Sequence, residues 1–132
     1  MENKWNFKID LKNTDVFDKL KTHYGIDIPN ELKSFIVEAN ASYPEKNLIM
    51  INGVERVFEA VLSYNEDETE AVSVFDLIKN DEFKNTIPFG LDPFGNIFCY
   101  SLKENKVYFY DHEESNFEET NYSLPQFILC LF

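Results

Sequence analysis

The sequence predicts a small, acidic α+β domain, and three observations point to it. Two segments near the N-terminus carry apolar residues at helical spacing. Two apolar runs around residue 100 follow a proline–glycine turn. Serine capping boxes open two further short helices. The 132 residues suit one domain spanning 1–132. An apolar fraction of 44% and an aromatic fraction of 16% argue against disorder, because burial on that scale offsets the entropy of ordering.

The first helix is predicted from about Thr14 to Tyr24, with Val16, Phe17, Leu20 and Tyr24 on one face. Asn13 or Thr14 suits its start, and Gly25 suits its stop. The second begins at Pro29, a residue tolerated where the backbone N–H has no intrahelical partner, and continues through Leu32, Phe35, Ile36 and Ala39. Asn40 to Pro44 reads as a loop. Leu48–Ile51 and Val57–Leu62 read as strands flanking an Asn52-Gly53 turn, and the polar Ser63–Glu70 segment reads as a loop or frayed edge. Ser73-Val74-Phe75-Asp76 is a capping box before a short helix. Asp92-Pro93-Phe94-Gly95 has the residue order of a type I turn. Ile97–Leu102 and Val107–Asp111 then form a hairpin around Glu104-Asn105. Both runs are apolar on both faces, as strands covered on two sides are. Ser123-Leu124-Pro125-Gln126 opens a closing helix.

Charge narrows the partners. There are 24 acidic and 12 basic residues, a formal net charge of −12. Nucleic-acid binding needs cations to displace phosphate counterions, so direct DNA or RNA binding is disfavoured, and an anionic membrane surface would repel the chain. A cationic protein would be attracted and steered; the alternative reading of the charge is solubility alone. The cysteines, Cys99 and Cys130, both sit in apolar runs and read as small buried hydrophobes, too few for a disulfide framework. The segment Met1 to Asn6 has no apolar leader core. A reducing cytoplasm is the expected compartment.

The candidate partner-facing residues are acidic. Glu66, Asp67, Glu68 and Glu70 form the densest run, and Asp111, Glu113 and Glu114 lie at the hairpin exit, with Glu118 and Glu119 beyond. Such runs read either as solvated loops or as mimics of nucleic-acid phosphates. Asp92 reads as reaching a basic group on a partner or, favoured by its place before proline, as holding the turn. Tyr43, Tyr64, Tyr108 and Tyr110 are candidate aromatic anchors, and Trp5 reads as packing the N-terminal arm or, alternatively, as an interface residue. Tyr108 and Tyr110 share a strand face whose cover the sequence leaves open. Catalysis finds little support. There is no Gly-x-Ser-x-Gly, Gly90 and Gly95 are not followed by Lys-Ser/Thr, and only His23 and His112 are available as histidine ligands. A hydrolase built on Asp92, Asp111 and His112 lacks a visible base–nucleophile–orienter set. No cofactor, metal or small-molecule substrate is expected.

Four stretches together resemble the SUKH superfamily, the Smi1/Knr4-like domains. They are Tyr24-Gly25-Ile26-Asp27-Ile28-Pro29-Asn30-Glu31-Leu32-Lys33-Ser34-Phe35, the acidic middle ending around Leu77, the hairpin block from Ile87 to Glu113, and Asn121-Tyr122-Ser123-Leu124-Pro125-Gln126-Phe127. A departure is Asn40-Ala41-Ser42, where the family often has a Gly-Gly pair. The resemblance implies a largely antiparallel sheet flanked by helices. It implies binding rather than catalysis: a bacterial immunity protein that occludes the active site of a polymorphic toxin, often a nuclease. The alternative is a general protein-interaction module of a cytoplasmic regulator.

Overall fold

The computed structural model describes residues 3–79, 81–83 and 85–132. Met1 and Glu2, which open the segment read as lacking a leader core, lie outside the described residues.

The chain enters through a two-residue strand, β1 (Trp5–Asn6), and reaches helix α1 (Val16–Tyr24). Gly25, at φ 69°, ends α1, and the bonds Gly25 N–H to Lys21 O and Ile26 N–H to Leu20 O close its last turn. Helix α2 (Asn30–Ala39) starts one residue later than predicted, because Pro29 is extended and serves as its N-cap. The helix buries Leu32, Phe35, Ile36 and Ala39, the predicted face.

The segment after α2, predicted as a loop, is ordered by pairing. Asn40 is fully buried. Its side-chain carbonyl accepts from Tyr64 N–H and its amide donates to Ile9 O. Ala41 follows at φ 59°, a conformation glycine adopts more cheaply. Strand β2 (Tyr43–Pro44) then pairs with β1.

Strands β3 (Leu48–Ile51) and β4 (Val54–Val57) form a hairpin about Asn52 and Gly53, at φ 49° and 83°. Positive φ at both residues fits a two-residue turn whose twist matches the strands. The predicted strand Val57–Leu62 is in fact two pieces. β4 begins earlier, at Val54. After Phe58-Glu59 the chain changes sheets, and β5 (Ala60–Val61) joins the main sheet. Ser63, Tyr64 and Asn65, read as the start of a polar loop, are buried. Helix α3 (Val74–Leu77) follows. Ser73 caps it through Phe75 N–H rather than Asp76 N–H, and its hydroxyl donates to Asn65 O. A 3-10 turn spans Asp81–Phe83.

The main sheet has five antiparallel strands in the order β5, β6 (Thr86–Leu91), β7 (Ile97–Ser101), β8 (Lys106–Asp111) and β9 (Asn116–Glu119). Strand β9 falls where the sequence suggested only an acidic cluster. β7 is buried at every residue, as two-sided cover requires. One face, with Phe98, Tyr100, Val107 and Phe109, packs on the helices. The other, with Ile97, Cys99 and Tyr110, is covered by Phe83 of the 3-10 turn. This answers the open tyrosine question: Tyr110 is core, and its hydroxyl bonds Glu82, while Tyr108 is half-buried. Tyr64 is core too, donating to Pro88 O at 2.6 Å, so it is no surface anchor. Helix α4 (Leu124–Leu129) carries the predicted capping box in full: Gln126 N–H donates to Ser123 Oγ and Ser123 N–H to Gln126 Oε1. Cys99 is buried, and burial holds its thiol well above the usual range. Cys130 is exposed, contrary to the expectation, because it caps the end of α4 on the solvent side.

Candidate partner-binding surface

Antiparallel pairing puts the β6–β7 and β8–β9 connections at one end of the sheet. β5, pairing Ala60 with Leu91, begins at that same end. This convergence builds the candidate surface.

The β6–β7 turn is held from inside by Asp92, which is only 4% exposed. Its Oδ1 accepts the N–H groups of Phe94 and Asn96, and its Oδ2 accepts the Asn96 amide, each at 2.8 Å. Asp92 is therefore the turn holder that its place before proline favours, and the other reading, a direct contact to a partner, is corrected, because both carboxylate oxygens are spent inside the turn. The carboxylate instead presents Phe94, 75% exposed, at the turn's tip. His112 locks this turn to its neighbour. Its Nε2 donates to Phe94 O at 2.8 Å, and its backbone N–H donates to Asn96 Oδ1 at 3.1 Å.

In the β8–β9 turn, Asp111 Oδ1 accepts from Glu113 N–H and Glu114 N–H. Asp111 thus serves the turn while keeping partial exposure, and Glu113 and Glu114 are exposed. Asp92, Asp111 and His112 do lie near one another. Each is spent on the backbone or on Asn96, and none bonds another of the three in these contacts.

At the β5 edge, Glu59 N–H donates to Leu91 O. A hollow of about 380 Å³ opens beside it, lined by Tyr43, Glu59, Glu70, Val72 and Leu91 among others. Tyr43, one of the proposed anchors, is exposed here and stacks edge-on with Phe7, whose φ is 60°. Glu70 thus joins the same end of the sheet. Glu59 joins it too, though the sequence reading placed it inside an apolar strand and passed over it. A lone acid at the junction of two strands was the available signal.

The remaining acids of the 66–70 run face elsewhere. Glu66 pairs with Lys19, and Asp67 lies beside Lys12 and Lys19 around a small hollow. Glu68 turns inward. Burial alone would raise its pKa, but bonds from the Ser63 hydroxyl, the Asn65 amide and Glu70 N–H outweigh this and hold it below the usual carboxylate range. Glu68 is a loop anchor rather than a contact residue. The consequence for stability has a definite sign. A depressed carboxyl stabilises the fold above the unfolded value of roughly 4.3, and that contribution is lost as pH falls through the lower folded value. Glu68→Gln should therefore lower stability at neutral pH and flatten its loss below about pH 4 in urea titrations. An unchanged acid limb would refute this role for Glu68. Glu118 and Glu119 sit on the edge strand, where Asn52 bonds Glu118 Oε1 and Glu119 O.

Five carboxylates thus share one end of the sheet with Phe94: Glu59, Glu70, Asp111, Glu113 and Glu114. Among the described residues the ion pairs are Lys8–Asp10, Lys19–Glu66, Lys21–Asp27 and Lys106–Glu119, so no cation neutralises any of the five. The rim is acidic, the centre aromatic, and both turns are cross-bonded.

The family model SUKH_6, described as SMI1-KNR4 cell-wall, matches residues 15–128. The chain belongs to the SUKH superfamily. The match runs from the start of α1 to within α4 and takes in both turns of the surface. No curated protein matches the chain. Membership of SUKH is consistent with an immunity-type protein. Among the described residues no helix is long and apolar enough to cross a membrane.

Proposed function

We propose that this SUKH domain is an immunity protein that captures a cationic toxin of the nuclease type and occludes its active site. The observation that carries the reading is the un-neutralised acidic rim around Phe94. A nuclease cleft is built to hold phosphates, and a rigid set of carboxylates presents similar charge without a scissile bond. Rim charges would steer the encounter, while Phe94 and Tyr43 would slow release. Binding, not turnover, is the activity, exercised in a reducing cytoplasm, with no nucleic acid, membrane or small-molecule substrate engaged directly.

The test is co-expression with the toxin-like reading frame beside the gene, followed by a binding titration. Wild type should rescue growth and form a stable complex. Its affinity should fall as ionic strength passes from low to physiological values. Reversing Glu59, Glu70, Glu113 and Glu114 to lysine should weaken binding by at least about 100-fold, mainly through slower association. Rescue without a complex, or a complex indifferent to these reversals, would overturn the reading. The absence of a toxin-like reading frame beside the gene would favour the alternative, an interaction module for an endogenous regulator.

A further inference from the structure

A second surface, away from the acidic rim, is an apolar groove between α2 and α4. Its walls are Glu31, Ser34 and Glu38 on one side and Leu124, Pro125 and Leu129 on the other, with a volume of about 340 Å³. It runs on into a hollow of about 270 Å³ that shares Phe35, Glu38, Ile128 and Leu129 with it and is also lined by Trp5 and Lys46. Leu129 is 81% exposed at its lip, while Leu124 and Phe127 of the same helix are buried in the core. Glu31 and Glu38 are seven residues apart on α2, about 10 Å along the axis, and so line one wall over two turns. Glu38 makes no ion pair among the described residues, and Glu31 only accepts the Tyr100 hydroxyl.

We infer that this groove docks a basic amphipathic helix of a protein partner. Apolar side chains at i, i+3 or i+4 and i+7 would enter between α2 and α4, and flanking lysines or arginines would meet Glu31 and Glu38. Length, apolar floor and acidic wall fit such an occupant together. A second copy of the chain fits poorly, since a two-fold contact would set Glu31 and Glu38 against their own counterparts on a chain of charge −12. The inference does not depend on the partner being a toxin, so the groove and the acidic rim stand or fall separately.

Trp5 is the only tryptophan and borders the groove, so its fluorescence reports occupancy. The probe is a synthetic helix of about 14 leucine and lysine residues, long enough for appreciable helicity, beside a counterpart with glutamate for lysine. The lysine peptide should change Trp5 emission saturably at one-to-one stoichiometry, and the glutamate peptide should not. Leu129→Asp and Glu38→Lys, both at exposed positions, should each weaken binding at least about tenfold. Glu113→Lys with Glu114→Lys should leave it within about twofold. The inference is overturned if no saturable change occurs, or if binding ignores Leu129→Asp and follows Glu113 and Glu114 instead. It is equally overturned if sedimentation shows a dimer that Leu129→Asp dissolves.

Discussion

Phe58→Ala should lower the unfolding free energy by about 3–5 kcal/mol, the range for emptying a buried aromatic site. Phe58 has no exposed surface, and its ring meets Phe98, Phe127 and Phe89 at 5.0, 5.4 and 6.0 Å between centroids. It lies where the β3–β4 hairpin passes into the main sheet, so its loss loosens two sheets at once. Gly90 lies opposite. A Cβ at Gly90 would stand 2.3 Å from Phe58 Cε2, so Gly90→Ala should itself cost about 1–3 kcal/mol through overpacking. The double variant should be less destabilised than the two costs added, because the cavity left by Phe58 accepts the new methyl. Urea unfolding with unchanged m-values measures all three. Strict additivity would show that Phe58 does not set the space at Gly90.

Asp92→Ala should cost about 2–4 kcal/mol. It removes an acceptor from two backbone N–H groups and one amide, and leaves those of Asn96 buried without a partner. Asp92→Asn should recover only part of this, since its own NH₂ would face donors. The same change should disturb the NMR shifts of Phe94 and His112, which the turn holds together. Were Asp92 a direct contact instead, alanine would impair partner binding and spare stability. The two outcomes separate cleanly in one set of samples.

Much of the framework was legible in the sequence. Helical spacing located α1 and α2, Gly25 marked a stop, and Ser123 with Gln126 announced α4. The β7–β8 hairpin was visible because two-sided burial leaves an unbroken apolar run. β4 was misplaced because Glu55 and Arg56 interrupt its pattern. Arg56 nonetheless spends its length over the Phe109 ring, 4.6 Å from its centroid. β9 was missed because Asn-Phe-Glu-Glu has a strand's geometry only once β8 offers a partner. The candidate surface was legible only in fragments. Asp111, Glu113, Glu114 and Glu70 were named, but their gathering depends on which ends of antiparallel strands coincide. An inward Glu68 also looks no different from an exposed acid in one dimension, whereas the proline after Asp92 marks that residue as a turn holder. Charge density identifies a class of partner, while orientation comes from pairing.

β9 is the last strand of the sheet and its outer side pairs with no other strand among the described residues, the kind of ledge on which stray strands stack into fibres. Here Glu118 and Glu119 electrify that ledge, and Asn52 clamps one end of it. Neutralising both glutamates while removing Asn52 would therefore be a route to polymerisation in an otherwise well-behaved molecule.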